Sequence, residues 1–261
     1  MKKALLPALL ASLLIQNGSV LASSSATATV DWSSLNVQLV DQSGGLDSPV
    51  FTWTSGQTSL SSTAETHPTE SISDDEWSGD FNTLLTSNAN TSRAQASAVK
   101  NDDVISVVAS SESGTVPLAF GEGTNNASSS AYFGPIFSLQ GKGIAIITLN
   151  WSLSVTGTPG DWSDFADAYI SISGLFNDNI FTEVTAHSGY STYSSYLGDA
   201  SYSGTFIMAM SNAGGLHYGS ISAAMGAYAY SPSVPVPEPE TYAMLLAGLS
   251  LLCLTVQRRK I

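Results

Sequence analysis

The stretch Ala131-Tyr-Phe-Gly-Pro-Ile-Phe-Ser-Leu139, Gln140, Gly141-Lys142-Gly143 and Ile144-Ala-Ile-Ile-Thr-Leu-Asn-Trp-Ser-Leu-Ser-Val155 decides the fold class. Apolar and polar positions alternate along both arms, and the second arm is dense in β-branched and aromatic residues, which suit a pleated, half-buried surface. Two glycines around one lysine supply turn chemistry, so the stretch reads as strand, turn, strand.

The same period continues on either side. Leu35, Val37 and Leu39 alternate, and Gly44-Gly45 leads to a second strand at residues 50–53. Ala94, Ala96 and Ala98 precede a polar turn at 100–103, and Ile105, Val107 and Ala109 come after it, which reads as a hairpin. Helix propensity leaves a short alanine-rich helix before Lys100 open as the alternative. Further strands are expected at 168–173, 205–210 and 220–230, the last two around a turn at 212–215. Ala223, Met225, Ala227 and Ala229 give the final strand a small face, suited to close sheet-on-sheet contact. Residues 54–82 are the least regular, with His67-Pro68 and Asp74-Asp75-Glu76, and read as a long surface loop holding at most one short strand. Many short strands with no βαβ rhythm point to an all-β fold, an antiparallel β-sandwich of jelly-roll type, over residues 23–232.

The two ends differ from this body. Met1-Lys2-Lys3, a short apolar run and the small residues Val20-Leu21-Ala22 form a secretory signal peptide over residues 1–22, cut by signal peptidase after Ala22. At the other end, residues 233–261 combine an alternating-proline spacer, one apolar run and a basic cluster. Pro235, Pro237 and Pro239 favour a stiff, extended, hydrogen-bond-free segment. A helix over residues 241–256 would span about 24 Å, somewhat less than the roughly 30 Å hydrocarbon core. Tyr242 and snorkelling Arg258 can make up the difference, and the basic end is expected to stay cytoplasmic, with the body on the far side of the inner membrane.

That order of parts resembles the PEP-CTERM sorting signal of Gram-negative bacteria, also catalogued as the ice-binding-protein C-terminal motif. Pro237, Glu238 and Pro239 match its core, and Arg258, Arg259 and Lys260 match its basic end. The resemblance covers about the last tenth of the chain. It implies recognition by an exosortase, a membrane-embedded transpeptidase-like protease that removes the helix. Because the signal accompanies polysaccharide export, it also implies a cell-surface or exopolysaccharide-matrix destination. A permanent single-pass anchor behind a proline-rich stalk is the alternative. The opening of the body, residues 30–35, is similar to that of other exported proteins with this signal.

Between the ends, three bases, Arg93, Lys100 and Lys142, face nineteen acids. Such a surface repels nucleic acid and anionic lipid. The single cysteine, Cys253, lies in the terminal apolar run, so the body enters an oxidising compartment without a disulfide, thiolate nucleophile or cysteine metal ligand.

Signatures of chemistry are sparse. The chain has no Gly-x-Ser-x-Gly, His-Glu-x-x-His, phosphate-binding loop or dinucleotide fingerprint, and His67, His187 and His217 lie far apart. Asp161, Asp164 and Asp167 are candidate calcium ligands, as are Asp74, Asp75, Glu76 and Asp80, although neither group has EF-hand spacing. Trp77 and Trp162 stand beside acids in expected loops and are the candidate glycan contacts; Trp32, Trp53 and Trp151 read as core. Otherwise no cofactor is expected. The expected function is a non-enzymatic structural or adhesive protein in contact with extracellular polysaccharide. A secreted carbohydrate-active hydrolase is the alternative, with two of the many acids as its catalytic pair. Mass spectrometry of the exported protein should find its C-terminus between residues 237 and 240; finding Ile261 on extracellular material would restore the permanent anchor.

Overall fold

The computed structural model describes residues 23–68, 70–117, 123–157, 164–177, 179–190 and 199–236. The signal-peptide residues Val20 and Ala22, the sorting residues Pro237, Glu238 and Pro239, the expected terminal helix and Arg258, Arg259 and Lys260 lie outside them. The described residues form eleven strands and no helix, as an all-β reading requires. In chain order they are β1 (Ser23–Asp41), β2 (Val50–Thr66), β3 (Glu70–Ser78), β4 (Leu85–Asn90), β5 (Ala94–Lys100), β6 (Val104–Glu112), β7 (Gly114–Pro117), β8 (Gly123–Thr156), β9 (Phe165–Phe176), β10 (Asn179–Tyr190) and β11 (Ala200–Val236).

All eleven belong to one hydrogen-bonded sheet. It makes two facing layers because β8 and β11 run through both. The second half of β8 pairs with β1 and with residues 200–213 of β11, and β1 continues to β6, β5 and β4. The first half of β8 pairs with β2, which carries β3, while the second half of β11 pairs with β9 and β9 with β10. At the outer edges the layers nearly close into a barrel: Asn88 of β4 donates its backbone N–H to Asp74 Oδ2 of β3 at 2.8 Å, and Ser87 Oγ donates to the Asp74 carbonyl at 2.6 Å.

Gly141-Lys142-Gly143 is therefore a corner within one 34-residue strand and not a hairpin turn. The same correction applies to residues 212–215, which lie inside the 37-residue β11. The two corners coincide. Ala213 pairs with Lys142, Leu216 pairs with Gln140, and the register shifts between them. Gly141, Gly214 and Gly215 have φ of 87°, 127° and 83°, a region where a β-carbon is strained. Gly141 also needs its bare Cα, because a β-carbon would overlap the Ser48 carbonyl oxygen. The loop beneath is held by Asp41, whose carboxylate accepts from Ser43, Gly45 and Ser48 and whose pKa is lowered to about 2 by these bonds, the Ser43 hydroxyl foremost. Lys142 then donates its N–H to the Asp47 carbonyl at 2.7 Å. Buried Asn212 spans the ladder break, donating from Nδ2 to the Leu139 and Gly215 carbonyls and accepting from Gly214 N–H.

Residues 54–82 are also corrected from loop to structure: β2 runs on to Thr66 and β3 returns from Glu70 to Ser78. Serine and threonine in β2 hide this, since Thr58, Ser62 and Thr66 are inward-facing and buried, with an apolar pattern only at Leu60 and Ala64. The alanine-rich segment before Lys100 is strand β5, paired with β4 and β6 through Ala94, Ala96 and Ala98. At the C-terminal side, Ser233, Val234, Pro235 and Val236 pair in parallel with β7, so the beginning of the expected free spacer belongs to the sheet.

The core between the layers changes along its length. Towards Ser23 it is small, with Ala26, Ala28, Ala64, Ala94, Ala96, Ala109, Ala127 and Ala229 buried. There hydroxyls cross between layers to main-chain oxygens: Ser24 to Tyr230, Ser62 to Ser87, Ser111 to Asn125 and Ser129 to Val108, at 2.9–3.1 Å. A side chain as short as serine reaches a facing backbone only if the layers approach more closely than the usual ~10 Å. Towards the other end Phe133, Phe137, Phe176 and Phe206 fill the interior.

Gly141→Ala should cost about 1–3 kcal/mol, read from the urea unfolding midpoint. Asn212→Ala should cost about 1–3 kcal/mol by leaving the buried Leu139 carbonyl without this donor and releasing the Gly215 carbonyl. Because the two residues share one corner, the double variant should lose less than the sum; full additivity would show that the two corners bend independently.

Candidate functional site

At the aromatic end two tryptophans lie at register breaks. Trp32 comes directly after Asp31, the point at which β1 shifts register against β8. Asp31 Oδ1 accepts from Ser33 Oγ and Ser34 N–H, and Ser34 Oγ donates to the Asp31 carbonyl, closing a tight local knot. Trp53 immediately precedes the break between β2 and β8. Bulges of this kind re-aim side chains at sheet ends. Here they bring the two indoles to 5.9 Å between centroids, tilted by 49°. Trp32 meets Phe133 edge-on at 4.6 Å, and Trp53 meets Phe51 and Phe137 edge-on at 4.9 and 5.8 Å.

The loop between β3 and β4 closes the third side. Phe81 lies 6.1 Å from Trp53. Gly56 permits this approach, since a β-carbon there would stand 3.0 Å from Phe81 Cβ and 2.8 Å from Pro135 Cα. The same loop carries Asp80, whose Oδ1 accepts from Asn82 N–H and Nδ2, and Thr83 N–H donates to the Asp80 carbonyl. The result is a cleft of about 610 Å³ with Trp32, Trp53 and Phe81 as aromatic lining and Thr54, Ser55, Asp80 and Asn82 as polar lining.

Lys100 supports this loop from inside. It is only 5 % exposed, donates from Nζ to the Thr83 carbonyl at 3.2 Å, and stands 5.9 Å from the Phe133 ring centre. Burial pushes its pKa below the usual 10.5, against the smaller opposing pull of Asp102 and Asp80. One buried cation thus ties the acid-bearing loop to the aromatic core.

Aromatic walls beside a carboxylate and an amide suit a sugar, whose C–H faces stack on rings while its hydroxyls hydrogen-bond at the rim. Among the described residues Asp80 is the one carboxylate in the lining, whereas glycoside hydrolysis uses two. The expected glycan contact Trp77 lies next to this cleft. It is 67 % exposed, and its ring reaches to 3.3 Å from the β-carbon position of Gly79, a lining residue. Trp162 and Asp161 lie outside the described residues. Asp164, immediately before β9, is 1 % exposed and continues the buried alternation of Ala166 and Ala168, while Asp167 falls on the other side of the strand. Asp74 is engaged with β4, and Asp75 and Glu76 are exposed on β3. Among the described residues no three His, Cys, Asp or Glu side chains come together as a metal site.

Sequence reasoning places Trp32 and Trp53 in the core, and each does have one edge there. The signal for their other role lies in the residues next along the chain, Ser33-Ser34 and Thr54-Ser55-Gly56, which break the two-residue alternation where a bulge is needed.

The lowered lysine pKa has a definite sign. Between the lowered value and 10.5 the unfolded chain holds more protons at this site than the folded one, so stability from this group rises with pH across that window. The unfolding free energy of the wild type relative to Lys100→Met should therefore shift in favour of the wild type as pH approaches 10.5. A pH-independent difference between the two would show that the ammonium is fully hydrated.

Residues 235–260 match the family model described as the PEP-CTERM protein-sorting motif. No curated protein and no solved structure matches the chain. By its terminal residues, the chain is an exported protein that carries a PEP-CTERM motif and is sorted by an exosortase.

Proposed function

We propose that the body is a non-enzymatic adhesive or structural module that holds extracellular polysaccharide in the Trp32–Trp53 cleft once the chain has reached the cell surface or the surrounding matrix. The observation that carries this is the position of the cleft relative to the chain ends. Ser23 pairs with Glu112, and Gly114 pairs with Ser233, so both ends of the body leave from one pole. Trp32 is nine residues along β1 from Ser23, about 30 Å at ~3.3 Å per residue, and β1 runs on a further nine residues to Asp41, so the cleft opens between that pole and the corner, well clear of the chain ends. Whether the chain is held by its expected terminal helix or by the end an exosortase leaves, the cleft stands about 30 Å along the body from the attachment.

The strongly acidic body favours uncharged polysaccharide over polyanions. Binding without turnover is favoured over hydrolysis by the single carboxylate among the described lining residues, and calcium is an optional contributor. The test is a pull-down of the full chain on purified matrix polysaccharide, with and without calcium. Saturable retention, reduced about 3- to 10-fold by Trp53→Ala, is expected. Release of oligosaccharide would establish the hydrolase instead, and calcium-dependent retention would assign the cation a role in binding.

A further inference from the structure

The outer face of the layer that contains β2 carries a second aromatic arrangement, separate from the cleft. Ser59 of β2 pairs with Trp77 of β3 on one side and with Tyr132 of β8 on the other. Residues directly opposite on neighbouring strands share a face. The two rings therefore flank one small hydroxyl residue across three strands, about 10 Å apart at ~4.8 Å per strand spacing. Both are open to solvent, Trp77 at 67 % and Tyr132 at 37 %.

The rings are also placed in the same manner. Gly79 stands two residues after Trp77, and Gly134 two residues after Tyr132. Ring atoms of Trp77 lie 3.3 and 3.8 Å from the β-carbon position of Gly79, and those of Tyr132 lie 2.9–3.3 Å from that of Gly134. A ring in that place leans along its strand towards bare backbone that a larger side chain would occupy. Beside Trp77 on the same face, the next row across the three strands is Asp75, Ser61 and Ser130, a carboxylate and two hydroxyls that line a shallow groove with Ser59.

We infer that Trp77 and Tyr132 form a second glycan-binding subsite, a platform that spans roughly three rings of a linear, uncharged pyranose chain and stacks on the first and the third. Stacking on two exposed rings on one sheet face requires unsubstituted C–H faces in an extended chain, and Asp75 accepts from sugar hydroxyls while repelling uronates and sulfates. Because Trp77 leans on Gly79, which lines the cleft, a chain long enough can engage both sites, and the second contact then gains from effective concentration. The inference takes its ligand class from the glycan role proposed above, but its residues are different.

The test is calorimetric titration of the detergent-solubilised full chain with cellohexaose, N-acetylchitohexaose and xylohexaose, and with an oligouronate of equal length. At least one uncharged hexaose should bind. Trp77→Ala and Tyr132→Ala should each weaken it about 3- to 10-fold with the unfolding midpoint unchanged, as expected of exposed side chains. Ser59→Lys, which obstructs the groove while leaving both rings, should weaken it as much. Loss in these three variants with Trp53→Ala unaffected supports the platform and removes the cleft. Loss in Trp53→Ala alone overturns the platform and leaves the cleft. Tighter binding of the oligouronate, or binding of no hexaose at all, overturns the assigned ligand class.

Discussion

β8 and β11 turn one corner side by side, and the two layers exist only because they do so together. A single long strand bending alone would break its ladder and leave buried amides and carbonyls without partners, each costing about 1–3 kcal/mol. The cost is avoided by placing left-handed glycines on both strands at the same level and filling the remaining gap with the Asn212 carboxamide. The loop after β1 docks against the bend, with Asp47 receiving the Lys142 N–H. The outcome is a sandwich whose two sheets are continuous through the hydrogen-bonded ladder.

That continuity frees the core to be uneven. At the pole of the chain ends, alanines and hydroxyl bridges draw the layers together; each bridge contributes about 1 kcal/mol and, more importantly, fixes the spacing. At the other pole phenylalanines hold them apart, and the last aromatic side chains, Trp32 and Trp53, are half covered. A cleft beside Trp32 and Trp53 is what a core of increasing side-chain size produces where β1 and β2 each break register against β8. Lys100 fits the same logic, since a cation in a widened, aromatic end can reach a loop carbonyl that an alanine could not.

The strand period is legible wherever it is carried by Ile, Val, Leu and Ala, as in residues 144–155 and 94–109. It fails where serine and threonine take the inward positions of β2, because hydroxyls that cross between layers look like solvent-facing residues in a one-dimensional pattern. Glycines at 141 and at 214–215 are recognisable as turn formers, but a left-handed glycine serves a reversal and a corner equally well. Only the pairing of both halves of β8 with β11 separates the two. Trp77 is legible as an exposed aromatic because acids precede it. Trp32 and Trp53 are not, since their dual position depends on bulges defined by partner strands far away in sequence.

The sorting motif and the folded body share residues. The motif match begins at Pro235, and Pro235 and Val236 are the last pairs of the parallel β7–β11 ladder. Proline suits that position because a short edge pairing tolerates a missing donor, whereas a central strand would not. The spacer that composition presents as a free stalk is thus partly sheet, and the sorting motif begins at the base of the body itself. The distance from that base to the aromatic cleft is then set by strand length in place of linker length. A rigid body of that length fixes where the cleft stands above its attachment, which a flexible stalk could not do.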